Sequence, residues 1–325
     1  MNRLNRACAV LACAVSLAFV GCAKDTLVNN ASPTDQQYFD GVINGSDASN
    51  SDLAMSDQVA LSDGQIYGVA KEQLPPSIQS VVDDHKMHPL KWGRYINGAQ
   101  RIITKIDLEG DTVAILHVQV TYSGTYVVYG MVNNAPDTLR KPFTVVLHRL
   151  FRFVRIAHKD DVKSNWRLDA VSILNGGTAN SKITITQMEV LQPTGDLLVA
   201  TDPDAYFMHI SKGGWFMHDL PLWGFNVQVV VTATVRSNDP DTDVVTLHYV
   251  PKHDGLHRAS MQMASETGDS VNGYLRVYSV TLAIPGNDKK FSHLVVSATT
   301  RESVSSTLTS DFSSSVWGLP YKSSE

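Results

Sequence analysis

The rhythm of apolar and polar positions changes several times along this chain. Ala7 to Val20 is an uncharged run of small and apolar residues, shorter than the roughly 20 residues a membrane-spanning helix needs. Residues 23–64 then lose any apolar period and are rich in Ser, Asn, Asp and Ala. A regular pattern begins near Ile66. Pro75-Pro76 followed by Ser77, Ile78, Val81 and Val82 predicts a short helix with proline in its first turn. Lys91 to Arg101, with Trp92, Tyr95 and Ile96, reads as a second helix or a loop. Strands are predicted at 112–122, 125–131, 143–156, 166–173 and 183–191, with Ser123-Gly124 as a turn signal between the first two.

A second group of strands follows an aromatic-rich stretch, Leu197 to Gly224. F-N-V-Q-V-V-V-T-A-T-V at 225–235 alternates in part. The polar segment Ser237 to Asp243 is a turn, and strands follow at 244–250, 258–263, 274–284 and 293–300. Short strands at this spacing predict an antiparallel sandwich. The pattern resembles bacterial immunoglobulin-like or fibronectin type III-like modules, without the cysteine pair of antibody-type domains. The earlier order differs: helices first, then long strands, with Arg155 and Trp166-Arg167-Leu168 near their end. It resembles the nuclear-transport-factor-2-like (SnoaL-like) group over residues 65–175, which implies a cone-shaped α+β barrel. The expected fold is therefore mostly β. An α+β or β-rich domain at 65–195, cone-shaped by that resemblance, is joined by a connector at 196–224 to an Ig-like sandwich at 225–302. A Ser-rich tail, loosely held, is expected at 303–325.

The amino terminus predicts a location. Arg3 and Arg6 precede the apolar run as the charged region of an export signal over residues 1–21. The run ends in Phe19-Val20-Gly21-Cys22, which resembles the lipobox of bacterial lipoproteins, with Phe19 where leucine is usual. That resemblance implies that the Cys22 thiol receives a diacylglycerol and becomes the first residue after cleavage. Palmitate-type acyl chains would then hold the protein to a membrane. Cys8 and Cys13 would leave with the leader, so no disulfide framework is available. Ala23-Lys24 follows the cysteine with no Asp, which by resemblance to Gram-negative lipoproteins implies the outer membrane, with either face open. Residues 22–64 carry Asp25, Asp35, Asp40, Asp47, Asp52, Asp57 and Asp63 against Lys24, and read as a disordered acidic tether. Of the formal net charge of −5, the leader contributes +2 and the tether −6, leaving the rest near neutral. Such a balance disfavours nucleic acid as a partner.

Candidate chemistry is sparse. There is no H-E-x-x-H, G-x-S-x-G, C-x-x-C or phosphate loop, and no cofactor is implied. His117, His148 and Arg152 lie on strand faces that would make a polar pocket if they point into a cone, or a solvated surface if they do not. Trp215, Phe216 and Trp223 would suit sugar stacking if exposed and a domain seam if packed. Asp239, Asp241 and Asp243 sit two apart and could gather oxygens for calcium, or simply make a solvated turn. His85 and His88, or His253 and His257 with Asp254, lack a third ligand or a helix to align them. The leading expectation is a lipid-anchored cell-envelope protein without catalytic role, serving in binding, adhesion or assembly with another envelope protein or a glycan. The alternatives are an enzyme or small-ligand binder using a cone pocket at 65–175, and carbohydrate binding through the aromatics.

Overall fold

The computed structural model describes residues 31–45, 61–62, 87–133, 135–210, 218–249, 258–285 and 291–324. The leader, Cys22, the expected helix at 75–82, His85, Trp215, Phe216, His253, Asp254 and His257 lie outside them.

The chain opens with α1 (Pro33–Ile43), then three long strands, β1 (His88–Glu109), β2 (Val113–Val132) and β3 (Ala135–Arg155). Shorter strands follow: β4 (Trp166–Ser172), β5 (Leu174–Gly177), β6 (Ile183–Leu191), β7 (Leu197–Ala200), β8 (Phe207–His209), β9 (His218–Asp219) and β10 (Leu222–Gly224). The last part holds β11 (Gln228–Ser237), β12 (Val244–His248), β13 (Arg258–Ser260), β14 (Gln262–Asp269), β15 (Gly273–Ala283), β16 (Phe291–Thr299), α2 (Arg301–Ser305) and β17 (Ser314–Ser324). The fold is mostly β, as the alternation predicts, built from two essentially antiparallel sheets.

The strands do not segregate by halves of the chain. One sheet runs β13-β12-β16-β17-β5-β3-β4-β8-β9, with β2 and then β1 added on β3, and β10 on β17. The other runs β14-β15-β11-β6-β7. Thus β6, from the first predicted domain, and β7, from the predicted connector, pair into the sheet of β11 and β15. Meanwhile β5 joins the early meander to the carboxyl-terminal β17. A single apolar cluster spans both sheets. β16 is buried along its whole length, as a central strand covered on both faces, with Phe291, Leu294, Val295, Val296 and Ala298 in the core and Ser292, His293, Ser297 and Thr299 buried beside them.

Several expectations are corrected. The cone-shaped barrel does not form, because the large sheet is not closed. The far side of β3 continues into β4, β5 and β17 instead of returning to β1. Lys91 to Arg101 is neither helix nor loop but part of β1, paired to β2. Gly93 and Gly98 weaken a helix there, while Trp92, Tyr95 and Ile96 favour a strand. Ser123-Gly124 is no turn: β2 passes straight through it. At Gly124 a β-carbon would come within 2.0 Å of the Tyr95 carbonyl oxygen, so the glycine is needed for close approach of β1.

The tether and tail are also corrected. Ser32 caps α1 by accepting from the Asp35 amide at 3.1 Å, Pro33 occupies its first turn, and Phe39, Val42 and Ile43 form a buried stripe. Residues 33–43 are therefore a docked helix rather than spacer. Ser314–Ser324 is no loose tail, since β17 is paired by β16 on one side and β5 on the other, with Trp317 and Tyr321 buried.

Candidate functional site: the outward face of the long meander

Residues directly opposed in an antiparallel ladder point to one side, so the register of β1, β2 and β3 sorts their side chains into two faces. On the inward face lie Val118, Val120, Leu147, Phe151 and Phe153, all buried. α1 lies on them. The Phe39 ring centroid is 4.9 Å from Phe153 and 5.3 Å from Trp166. Asp35 accepts from Trp166 Nε1 at 2.7 Å and from Arg155 Nη2 at 3.2 Å, while Arg155 stacks over the Trp166 ring. A cavity of about 10 Å³ beneath Ile43, Val118, Arg149 and Phe151 leaves room for no more than about one water.

His117, His148 and Arg152 share the opposite, outward face. Gln119 opposes His148, His117 opposes Leu150, and Ile115 opposes Arg152. The structure thus brings the three together on one surface, but outside the sheet rather than within a cone. Each has a different surrounding. His117 Nε2 is 2.8 Å from Asp107 Oδ2 on β1, and Lys105 Nζ is 2.8 Å from the other oxygen. Lys105 first, with help from His117, holds the Asp107 carboxyl below the usual carboxylate range. Arg152 pairs with Asp169, which a bulge in β4 turns towards it, and His209 Nδ1 on β8 is 3.5 Å from the second oxygen of Asp169. His148 stays exposed, opposite Asn175 on β5. Sequence reading named His117, His148 and Arg152 but missed Asp107 and His209 as their neighbours, because neither the register of β1 on β2 nor that of β4 on β8 is visible in the sequence.

The other candidates are corrected. Trp223 is 2% exposed, stacks 4.9 Å from Tyr321 and donates from Nε1 to Gln192 Oε1 at 3.3 Å, so it is a core residue and not a sugar platform. The Asp239–Asp243 turn closes around a guanidinium. Arg276 donates to the Asp239, Pro240 and Asp241 carbonyls at 2.8–3.0 Å, to Asp243 Oδ2 at 2.7 Å and to Glu266 Oε2 at 2.5 Å. Of the three carboxylates proposed for calcium, that of Asp243 is held by this cation, while that of Asp239 accepts from the Asp241 amide at 3.0 Å and the Glu302 amide at 3.2 Å. Among the described residues no group of three His, Cys, Asp or Glu could hold a metal. Burial pushes the Asp243 carboxyl up to about 6 against the opposing pull of Arg276. The signal was present in the sequence: Arg276 shares the parity of Tyr274 and Tyr278 on β15.

Lys141 on β3 is another group that sequence reading passed over. It is fully buried, donating to the carbonyls of Asp311 at 3.1 Å and Glu302 at 3.4 Å in the segment from α2 to β17. Burial pulls its ammonium down to about 8. In the unfolded chain the same group titrates near 10.5, so between those values the unfolded state binds more protons. Stability contributed by Lys141 therefore rises as pH goes from about 8 to about 10, by about 1–3 kcal/mol. Urea denaturation across that range should show this rise in the natural protein. A flat profile equal to that of Lys141→Met would count against it.

Scans against protein-family models, curated proteins and solved structures find no match to this chain.

Proposed function

We propose that this protein is an exported, lipid-anchored component of a bacterial cell envelope, held to the outer membrane through Cys22. Its folded body binds a partner without catalysing a reaction. The observation that carries the binding role is the placement of the named polar residues. His117, His148 and Arg152 stand on an open sheet face, while the inward face beneath them is filled by α1 and apolar side chains. A filled, two-sided sheet suits recognition across a surface better than enclosure of a small substrate. The segment 225–302 divides its strands between the two sheets, with β11, β14 and β15 in one and β12, β13 and β16 in the other, which supports the immunoglobulin-like reading. Such modules commonly serve adhesion or assembly, and fold alone does not choose between them.

Labelled palmitate tests the anchor. The natural chain expressed in a Gram-negative host should incorporate the label and sediment with outer membranes. Cys22→Ser should do neither, and processing should stall in the presence of globomycin. Unchanged membrane association of Cys22→Ser would sink the anchoring part of the proposal.

A further inference from the structure

Charge is unevenly placed on the outward face of the meander. From the rung of Lys91, Tyr129 and Thr138 to the rung of Lys105, His117 and Leu150, no aspartate or glutamate stands on that face. The cations there are Lys91, Arg140 and Lys105, joined by His117 and His148; the first carboxylate is Asp107, at the next rung. This stretch covers roughly 40 Å of strand at about 3.3 Å per residue. It lies in a chain of formal net charge −5 with 32 acidic residues. Two aromatics stand on it, Tyr95 at 49% and Tyr129 at 39% exposure. Between and beyond them stand the hydroxyl and amide side chains of Thr125, Ser123, Thr144, Thr121, Gln100 and Gln119, with Ile102 at 42% exposure as the main apolar interruption.

We propose that this face binds an acidic polysaccharide laid along the strands. The inference rests on the binding role proposed above and names its partner. Complementary charge favours a polyanion: Asp107 already pairs with Lys105 and His117 at one end, but no carboxylate of the meander's outward face stands beside Lys91 and Arg140 at the other. Exposed tyrosines offer flat faces to sugar rings, and the hydroxyl and amide row matches sugar hydroxyls. A lipid surface would call for a more apolar face, and a nucleic acid for denser positive charge.

The test uses the intact protein, purified in a neutral detergent, so that it does not depend on the acyl chains. Polygalacturonate should bind, neutral dextran should not, and binding should weaken as ionic strength rises to about 1 M, where the Debye length is about 3 Å. The pair Lys91→Glu with Arg140→Glu should weaken binding at least about tenfold, and Tyr95→Ala with Tyr129→Ala several-fold. Arg236→Glu, exposed on the other sheet, should leave it unchanged. Thermal melts confirm folding of each variant; if a charge-reversed pair unfolds, the salt and dextran arms on the natural chain still decide. The proposal is overturned by no binding of polygalacturonate, by equal binding of dextran, or by an unaffected folded charge-reversed pair. Tighter binding of single-stranded DNA or of phosphatidylglycerol vesicles would overturn it too. Palmitate labelling of Cys22 reads the anchor separately, so the two ideas fail independently.

Discussion

Arg276→Ala should destabilise the protein by about 3–5 kcal/mol, the range for breaking one side of a buried ion pair. Both Arg276 and Asp243 side chains are completely buried. The alanine variant would strand the Asp243 carboxylate and the inward-turned carbonyls of Asp239, Pro240 and Asp241 without their donor. Burial already raises the Asp243 carboxyl, and loss of the opposing guanidinium raises it further. The carboxyl then takes up a proton, which limits the damage. Asp243→Asn should accordingly cost less, since an amide oxygen still accepts from Arg276. Replacing both partners with apolar residues, Arg276→Met with Asp243→Leu, should recover part of the loss, because neither charge is then buried alone. Urea unfolding followed by circular dichroism reads all three. A cost for Arg276→Ala below about 1 kcal/mol would mean that the turn opens to water and the clamp is not structural.

Phe39→Ala should cost about 3–5 kcal/mol if the cavity persists. The ring is fully buried between Phe153 and Trp166, so truncation removes its aromatic contacts along with its apolar area. The observable ceiling is the docking energy of α1. Once the cavity costs more than that, the helix leaves and exposes Trp166 Nε1 and Arg155, both of which hold Asp35. Amide hydrogen exchange over 33–43 separates the two results. A uniform fall in protection means a persistent cavity, and selective loss in α1 means undocking. Unchanged stability together with unchanged exchange would show that α1 is not part of the core. Asp35→Asn should be milder, because the amide oxygen remains an acceptor for the indole.

Alternation made most strands legible. The segments at 143–156, 166–173, 183–191, 225–235, 244–250 and 274–284 each fall on an observed strand; 143–156 and 225–235 alternate as half-buried strands must, while β4 and β12 are buried almost throughout. The stripe of Phe39, Val42 and Ile43 was also readable, but the aspartates and serines around it outweighed three apolar positions. The docked helix depends on the surface that receives it, formed by β3 and β4 more than 100 residues later. β17 was hidden similarly: Ser313, Ser314 and Ser315 look like a linker. In the fold, Ser315 Oγ accepts from the Ile185 amide and Ser313 Oγ from the Lys182 amide, tying the two sheets together. A serine's role depends on what lies opposite, and that is information from elsewhere in the chain.

The sequence by itself determined the mostly β class, the strand character of segments such as 143–156 and 225–235, and the resemblance of residues 19–22 to a lipobox. These are local properties, set by side-chain period and by short motifs. Only the tertiary structure decided the rest: that the meander stays open instead of closing into a cone, that β6 pairs with β11 and β5 with β17, and that the Asp239–Asp243 turn grips Arg276. It also decided that His117, His148 and Arg152 face outward. Register and pairing are choices among distant segments, settled by which combination buries the most apolar surface while leaving the fewest polar groups without partners.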